Sequence, residues 1–242
     1  MFGATNEDAT VDIGKIDRPK VVLVVGAHPD DPEFGCGGTL ARWADQGCAI
    51  HYLICTAGDK GSKDLKMTPD RLAAVREVEQ REAARRVGAV RVTFLGEPDG
   101  EFQPDLENRE RITRLIRELR PDVLVAHDPW RRYQLHPDHR NVGLCTLDAM
   151  VAARDHLYFP HLFESGLMPH TVPEIVLFGT EDANAWVDIS LTIDRKLEAL
   201  KAHESQVRRI PDLDERIRER ARLVGQAHGL EFAEEFHLIE QR

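Results

Sequence analysis

The sequence predicts an α/β fold in which helices cover both faces of a mostly parallel β-sheet. Four apolar segments, rich in residues that favour strands, have the length of buried strands: residues 21–25, 49–56, 91–95 and 122–126. Segments with helical periodicity separate them. This alternation is typical of βαβ units joined by right-handed crossovers, so the strands should run parallel in one sheet.

The predicted helices have recognisable ends. Gly47 ends a helix that begins with the glycines at 37–38, and Pro69 begins a long helix that reaches about Val87, before Gly88. The long helix is rich in Arg, Glu and Ala, which suits a solvated outer face. The remaining predicted elements are a helix at 106–119 with the apolar stripe Ile112, Leu115, Ile116 and Leu119, short strands at 174–179 and 186–189, and helices at 191–203 and 213–228. The charged last 40 residues should fold back on the sheet or join a partner subunit.

Length and composition limit the classes of protein. With 242 residues, 42% of them hydrophobic, the chain can form one core, which we place in a single domain over residues 20–242. Residues 1–19 lack the apolar core of a signal peptide and are predicted to form a mobile tail. A net charge of -10 argues against a nucleic-acid partner, and no apolar run approaches the roughly 20 residues of a membrane span.

The cysteines give no sign of a thiolate metal site or of a disulfide framework. Four are present and none forms a C-x-x-C pair: Cys36, Cys48, Cys55 and Cys145. We therefore expect a cytoplasmic protein. Cys36 stands in a glycine-rich turn and is predicted to be a small buried thiol.

Two clusters of histidine and aspartate follow predicted strands. The segment His28-Pro29-Asp30-Asp31 comes after residues 21–25, and His136-Pro137-Asp138-His139 comes soon after residues 122–126. Reactive loops of parallel sheets lie beyond the carboxyl ends of the strands, so both clusters should reach the same edge.

The two clusters contain the donors of a catalytic zinc site. Such a site keeps three protein ligands and an open position, and His28, Asp31 and His139 can supply the three. Asp30 and His136 are then left for proton transfer and for stabilising an oxyanion. Asp138 is placed to hydrogen-bond a histidine and fix its tautomer.

Two other interpretations compete with a metal site. An aspartate at a helix start is often only an N-cap, and a lone histidine is often structural, so the interpretation rests on the two clusters together. Glycines at 26, 35, 37 and 38 follow a strand, as in a dinucleotide site. Their spacing is not G-x-G-x-x-G, and the acidic Asp30, Asp31 and Glu33 would repel a pyrophosphate.

These residues resemble the LmbE-like or PIG-L deacetylases. The matching segments, in family order, are AHPDDPEFGCGGTL, AVREVEQREAARRVGA, FLGEPDGEF, VLVAHDPWRRYQLHPDHR and VDISLTIDRKLEALKAHESQ, and they span about residues 20 to 206. The resemblance implies a Rossmann-like fold with one zinc ion per chain. It also implies removal of acetyl from an N-acetylglucosamine conjugate and, together with the charged C-terminal helix region, a homo-oligomer.

The resemblance assigns roles to individual residues. His28, Asp31 and His139 match the zinc ligands and Asp30 the general base. His136 matches the histidine that stabilises the oxyanion or acts as an acid, and Asp138 its orienting carboxylate. Arg76 and Asp99 match positions that look sugar-binding in the family, although Arg76 on a solvated helix and Asp99 in a Pro-Asp-Gly turn have ordinary structural explanations. His203 matches a family segment and is expected to pack or to contact a subunit.

The sequence departs from the family pattern at two places. Pro32 precedes Glu33 where the family often has HPDDE, which leaves the role of Glu33 open. Gln134 stands two residues before the HPDH motif, where some members place a tyrosine, and Tyr133 is one residue further away.

Several alternatives stay open from the sequence. No segment of the sequence identifies the group to which the sugar is attached. The chain is alternatively an amidase acting on a thiol conjugate of the mycothiol type, or a zinc-binding protein without catalysis; intact Asp30 and His136 argue against the latter. A His-Asp-His site also accepts iron(II), cobalt or manganese.

Overall fold

Runs of valine, isoleucine and leucine form the central strands of the sheet. A computed structural model describes residues 11–12 and 19–241 of the chain. Its strands are β1 (Val11–Asp12), β2 (Val21–Gly26), β3 (Ala49–Thr56), β4 (Arg91–Glu97), β5 (Val123–His127), β6 (Glu174–Phe178), β7 (Ala185–Asp188) and β8 (Ala233–Glu240). The predicted tail at 1–19 lies mostly outside the described residues; Val11–Asp12 within it pair with β7.

The described strands form one eight-stranded sheet in the order β1-β7-β8-β6-β5-β2-β3-β4. From β6 to β4 every neighbouring pair is parallel, as predicted. Strand β8 is antiparallel to both of its neighbours, β6 and β7. The sheet is therefore mostly parallel, and the antiparallel β8 lies between the pair β1–β7 and the parallel strands from β6 to β4.

Alternate residues of the buried strands face two separate cores. Val22, Val24 and Ile50 face the core on one side of the sheet, and Leu23 and Val25 face the core on the other. This alternation follows from the two-residue period of a strand. Both faces are apolar because helices cover both, which confirms the predicted layering.

The helices are α1 (Asp31–Asp45), α2 (Pro69–Val87), α3 (Leu106–Leu119), α4 (Pro137–Arg154), α5 (Pro160–Glu164), α6 (Ile193–Lys201), α7 (Glu204–Val207) and α8 (Leu213–Ala227). Helices α1, α2, α6 and α8 contribute to the first core, and α3 and α4 to the second. Helix α2 has the predicted bounds because Thr68 caps its start and Gly88, at φ 101°, ends it. None of the helices in the part of the chain that the structure describes is long and apolar enough to cross a membrane.

The first helix differs most from its predicted bounds. It begins at Asp31, inside the histidine-acid cluster, rather than near Gly37, and it contains a kink at Cys36 (φ -149°). Gly38 lies close to Ile189, whose Cδ1 would be 2.8 Å from a Cβ added at position 38. The helix therefore packs against Ile189 more closely than a residue with a side chain would allow. The predicted helix thus contains the glycines at 37–38, as expected, but starts six residues earlier, at Asp31.

Candidate metal and catalytic site

The two histidine-acid clusters meet at the carboxyl ends of β2 and β5, which are adjacent and parallel. His28 follows β2, Asp31 begins α1, and His139 lies in the first turn of α4. His28 Nδ1 and His139 Nε2 are 3.2 Å apart although 111 residues separate them in the chain. The fold thus brings the two clusters to one point.

The donor atoms of three residues are as far apart as the ligands of a tetrahedral metal, and Asp31 presents one carboxylate oxygen to each of two histidines. His28 Nδ1 lies 3.5 Å from Asp31 Oδ2, His139 Nε2 lies 3.4 Å from Asp31 Oδ1, and the two histidine nitrogens are 3.2 Å apart. Two ligand atoms that each lie about 2.1 Å from a tetrahedral zinc ion are about 3.4 Å apart. His28, Asp31 and His139 therefore fit one small divalent cation.

Carboxylates surround the other nitrogen of His28. Asp138 Oδ2 and Asp99 Oδ1 each lie 3.1 Å from His28 Nε2. Burial by itself lowers the pKa of His28, but Asp138, Asp31 and Asp99 outweigh it and raise that pKa to about 12. The site thus carries negative charge that favours a cation, and a carboxylate on Nε2 leaves Nδ1 free to face a metal.

The backbone fixes Asp138 in its place. Its carboxylate accepts hydrogen bonds from the N–H of Gly100 at 2.7 Å and of Phe102 at 3.2 Å, and the residue is fully buried. The sequence interpretation paired Asp138 with His136, whereas its histidine partner here is His28. The reason is the position of Asp138 on the inner side of the first turn of α4, facing the loop after β4.

His127 is a functional candidate that the sequence interpretation missed. Its Nε2 lies 3.0 Å from Asp31 Oδ2, and its ring stacks on His139 with centroids 4.4 Å apart. The ligand atoms of Asp31, His127 and His139 lie within 4.8 Å of one another. His127 is the last residue of β5 and is 5% exposed. The available signal was a histidine that ends an otherwise apolar strand at the reactive edge.

His136 lies beside the ligand histidines. It precedes α4 as its N-cap residue, and its ring meets that of His28 edge-on at 4.5 Å. Its Nε2 is 3.6 Å from Asp99 Oδ1, and its side chain is 40% exposed. Burial lowers the pKa of His136 below its usual value. A neutral imidazole therefore lines the open side of the site.

Asp30 is held in an unusual backbone conformation. Its φ of 105° and ψ of -24° lie in the left-handed region, which is costly for a residue with a side chain. Its N–H donates to Gln80 Oε1 at 2.9 Å, and its Oδ2 accepts from Arg76 Nη2 at 3.1 Å. Burial raises the pKa of Asp30 to about 6, with Arg76 opposing the change.

Arg76 lies beneath Asp30 and is 3% exposed. Besides Asp30, its guanidinium donates to the carbonyl oxygens of Gly58 and Pro29. Asp99, the other residue that the resemblance assigns to sugar binding, is 8% exposed and contacts His28 and His136. The structure thus places Arg76 in support of the Asp30 loop, and Asp99 within the histidine cluster.

A buried polar cluster extends from Asp30 into the interior. Gln80 Nε2 donates to both oxygens of Glu33, at 3.0 and 3.2 Å, and His203 Nε2 lies 3.1 Å from Glu33 Oε2. Glu33, Gln80 and His203 are each fully buried. The structure thus answers the open question on Glu33, which links α1 to α2 and to the turn between α6 and α7. His203 is buried inside the molecule, so of the two expected roles, packing or subunit contact, it has the packing role.

A cavity of about 190 Å³ adjoins the ligand cluster. Asp31, His127 and His139 line one end, Gln134 lines its side, and α8 and β8 form the far wall. Tyr133 is 84% exposed and has a φ of 58°. The residue beside the cavity is thus Gln134 and not Tyr133.

Comparison with known proteins points to one family. The family described as GlcNAc-PI de-N-acetylase (PIG-L) matches residues 23–150. A diacetylchitobiose deacetylase of Thermococcus kodakarensis is 34% identical over 196 residues, which cover 79% of this chain and 73% of the relative. A 1D-myo-inositol 2-acetamido-2-deoxy-α-D-glucopyranoside deacetylase of Saccharopolyspora erythraea is 30% identical over 76% of this chain and 83% of its own length.

A solved structure shares nearly the whole fold. The N,N'-diacetylchitobiose deacetylase of Pyrococcus horikoshii, complexed with an inhibitor, superposes with a TM-score of 0.88 at 30% identity. The match covers 94% of this chain and 86% of that one. Motifs, site geometry and these likenesses together assign the chain to a family: it belongs to the PIG-L, or LmbE-like, deacetylases.

Proposed function

We propose that this chain is a zinc-dependent hydrolase that removes the acetyl group from an N-acetylglucosamine conjugate. The observation that carries the proposal is the convergence of His28, Asp31 and His139 at the spacing of a tetrahedral metal site. The substrate class comes from the relatives, which are named for diacetylchitobiose and for an inositol conjugate of the same sugar.

The chain's own residues divide the work of amide hydrolysis. A divalent metal held by His28, Asp31 and His139 would supply an acidic water and polarise the acetyl carbonyl. Asp30 accepts the proton of the attacking water, since a pKa of about 6 suits a base at neutral pH. His136 donates a hydrogen bond to the developing oxyanion. Asp30 then returns the proton that it accepted to the leaving amine.

The remaining residues orient this machinery. Asp138 and Asp99 hold the ring of His28, and His127 holds the carboxylate of Asp31. Such outer contacts keep metal ligands in the right tautomer and direction. Asp99 also faces His136, on the open side of the site, where a sugar hydroxyl would reach it.

The proposal is tested by measuring acetate release from a panel of substrates. The panel holds N-acetylglucosamine, diacetylchitobiose, the inositol conjugate of N-acetylglucosamine and an acylated cysteinyl glucosamine conjugate. Each is assayed with the protein as purified, after chelation, and after return of zinc, iron(II), cobalt or manganese. Elemental analysis gives the metal content, and Asp31→Ala serves as the variant that lacks a ligand.

We expect acetate from at least one N-acetylglucosamine compound, about one metal ion per chain, and loss of activity on chelation. Cleavage of the cysteinyl amide alone would instead identify the thiol-conjugate amidase. Full metal content without any amide cleavage would leave a metal-binding protein and refute the proposed hydrolase.

A further inference from the structure

Gln80 is a polar residue on the buried face of α2. The inner face of this helix carries Leu72, Ala83, Ala84 and Val87, and the polar Arg76 and Gln80 lie on the same stripe, one turn apart. Gln80 is fully buried. A buried amide costs free energy unless its donor and acceptor are both paired, and both are paired here.

The chemistry of its two partners explains why this residue is an amide. The N–H of Asp30 can only donate, so it needs an acceptor, while the carboxylate of Glu33 can only accept and needs a donor. Gln80 supplies the acceptor at 2.9 Å from Asp30 and the donor at 3.0 Å from Glu33. A carboxylate, a hydrocarbon or an ammonium group at position 80 would satisfy one partner at most.

Asp30 needs such a restraint. Its left-handed backbone conformation is costly for a residue with a Cβ and persists only where neighbouring groups impose it. Arg76 holds the preceding carbonyl, of Pro29, and the Asp30 carboxylate, and Gln80 holds the N–H between them. Glu33 in turn is held by His203.

We propose that Gln80 is a positioning residue for Asp30. Its hydrogen bonds connect the strained Asp30 peptide to the buried Glu33–His203 pair. This connection restrains the peptide, so that the Asp30 carboxylate stays directed at the attacking water. The catalytic part of this inference rests on the proposed function of Asp30 as general base; the structural part does not.

Exchange of amide and carboxylate between positions 80 and 33 tests the proposal. Gln80→Glu puts two carboxylates face to face and removes the donor to Glu33. The double variant Gln80→Glu/Glu33→Gln restores the pattern, since the carboxylate at 80 accepts from both Asp30 N–H and the new amide, whose oxygen accepts from His203. Gln80→Met removes both bonds at similar volume. Gln226→Glu, on the exposed side of α8, makes the same chemical change away from the site.

Three quantities are measured on the zinc-loaded protein: kcat and KM for deacetylation, zinc content, and amide hydrogen exchange at Asp30. For Gln80→Glu and Gln80→Met we expect kcat to fall by roughly 10²-fold with little change in KM or zinc content, because a misdirected base costs about that factor. Exchange at Asp30 should quicken by roughly tenfold in Gln80→Met, whose side chain offers the Asp30 N–H no acceptor. In Gln80→Glu a carboxylate still accepts from this N–H but repels Glu33, so exchange should quicken less. The double variant should recover most of both, and Gln226→Glu should match the wild type.

Retention of kcat by Gln80→Met, or failure of a folded double variant to recover any activity, would overturn the proposal. If Gln80→Glu alone does not fold, Gln80→Met and the double variant decide the result. If the wild type releases no acetate, the proposed function fails, and hydrogen exchange still judges whether Gln80 restrains Asp30.

Discussion

Replacing Asp30 by asparagine separates proton transfer from metal binding. The substitution keeps the shape of the side chain and removes its basicity. The residues whose spacing fits the metal are His28, Asp31 and His139, so Asp30→Asn should retain its zinc. General-base catalysis is worth about 10²–10⁴ in rate, or about 3–5 kcal/mol of activation free energy, and kcat should fall by that factor.

The same substitution has a second, smaller effect that the structure also predicts. Asp30 is the carboxylate partner of the buried Arg76, which keeps its bonds to the Gly58 and Pro29 carbonyls in the variant. An amide oxygen still accepts from Arg76, so we expect a loss of about 1–3 kcal/mol of stability rather than unfolding. For a chain of this length the melting temperature falls by about 2–4 °C for each kcal/mol.

The assay compares Asp30→Asn with Asp31→Ala and with Asp70→Asn, an exposed aspartate in the first turn of α2. Acetate release gives kcat, elemental analysis gives bound zinc, and thermal unfolding gives stability. Asp31→Ala should lose zinc and activity together, and Asp70→Asn should lose neither. If Asp30→Asn emptied the site while Asp31→Ala kept its zinc, the assigned roles would have to be exchanged.

Three further outcomes are expected. His127→Gln removes the imidazole that holds Asp31 at 3.0 Å and stacks on His139, and it should weaken zinc binding by about 10–100-fold in equilibrium dialysis; unchanged affinity would show that His127 is no support for the ligands. Gly35→Ala would place a Cβ 2.4 Å from Phe178 Cδ2 and should cost about 1–3 kcal/mol in thermal unfolding, a loss that an equally stable variant would disprove. Self-association, which the sequence resemblance implies, should appear as a concentration-dependent sedimentation coefficient, and a monomer at all concentrations would exclude it.

Local patterns predict most of the central elements. The strands at 49–56 and 122–126, and the helices at 69–87 and 106–119, match the observed bounds within about one residue, because apolar periodicity and capping residues act over short stretches. The same patterns predict the adjacency of the two histidine clusters, since the carboxyl ends of parallel strands share an edge.

Strand β8 shows where local patterns fail. Its sequence AEEFHLIE carries charges within a charged C-terminal region, and the sequence interpretation assigned no strand there. Glu234 on this strand is nevertheless buried, because it pairs with Lys196 of α6 at 2.5 Å and accepts from the N–H groups of Gly38 and Thr39. The charge is tolerated in the interior because partners that lie far away in the chain pair with it and donate hydrogen bonds to it.

The sequence by itself determined the α/β class, the metal-ligand candidates and the family, because the HPDD and HPDH motifs concentrate the necessary donors in short segments. Tertiary structure alone decided which groups face which. It pairs Asp138 with His28, brings His127 to Asp31 across 96 residues, and turns Arg76 inward beneath Asp30. These contacts depend on packing between helices and strands that are distant in the chain, and no local periodicity carries that information.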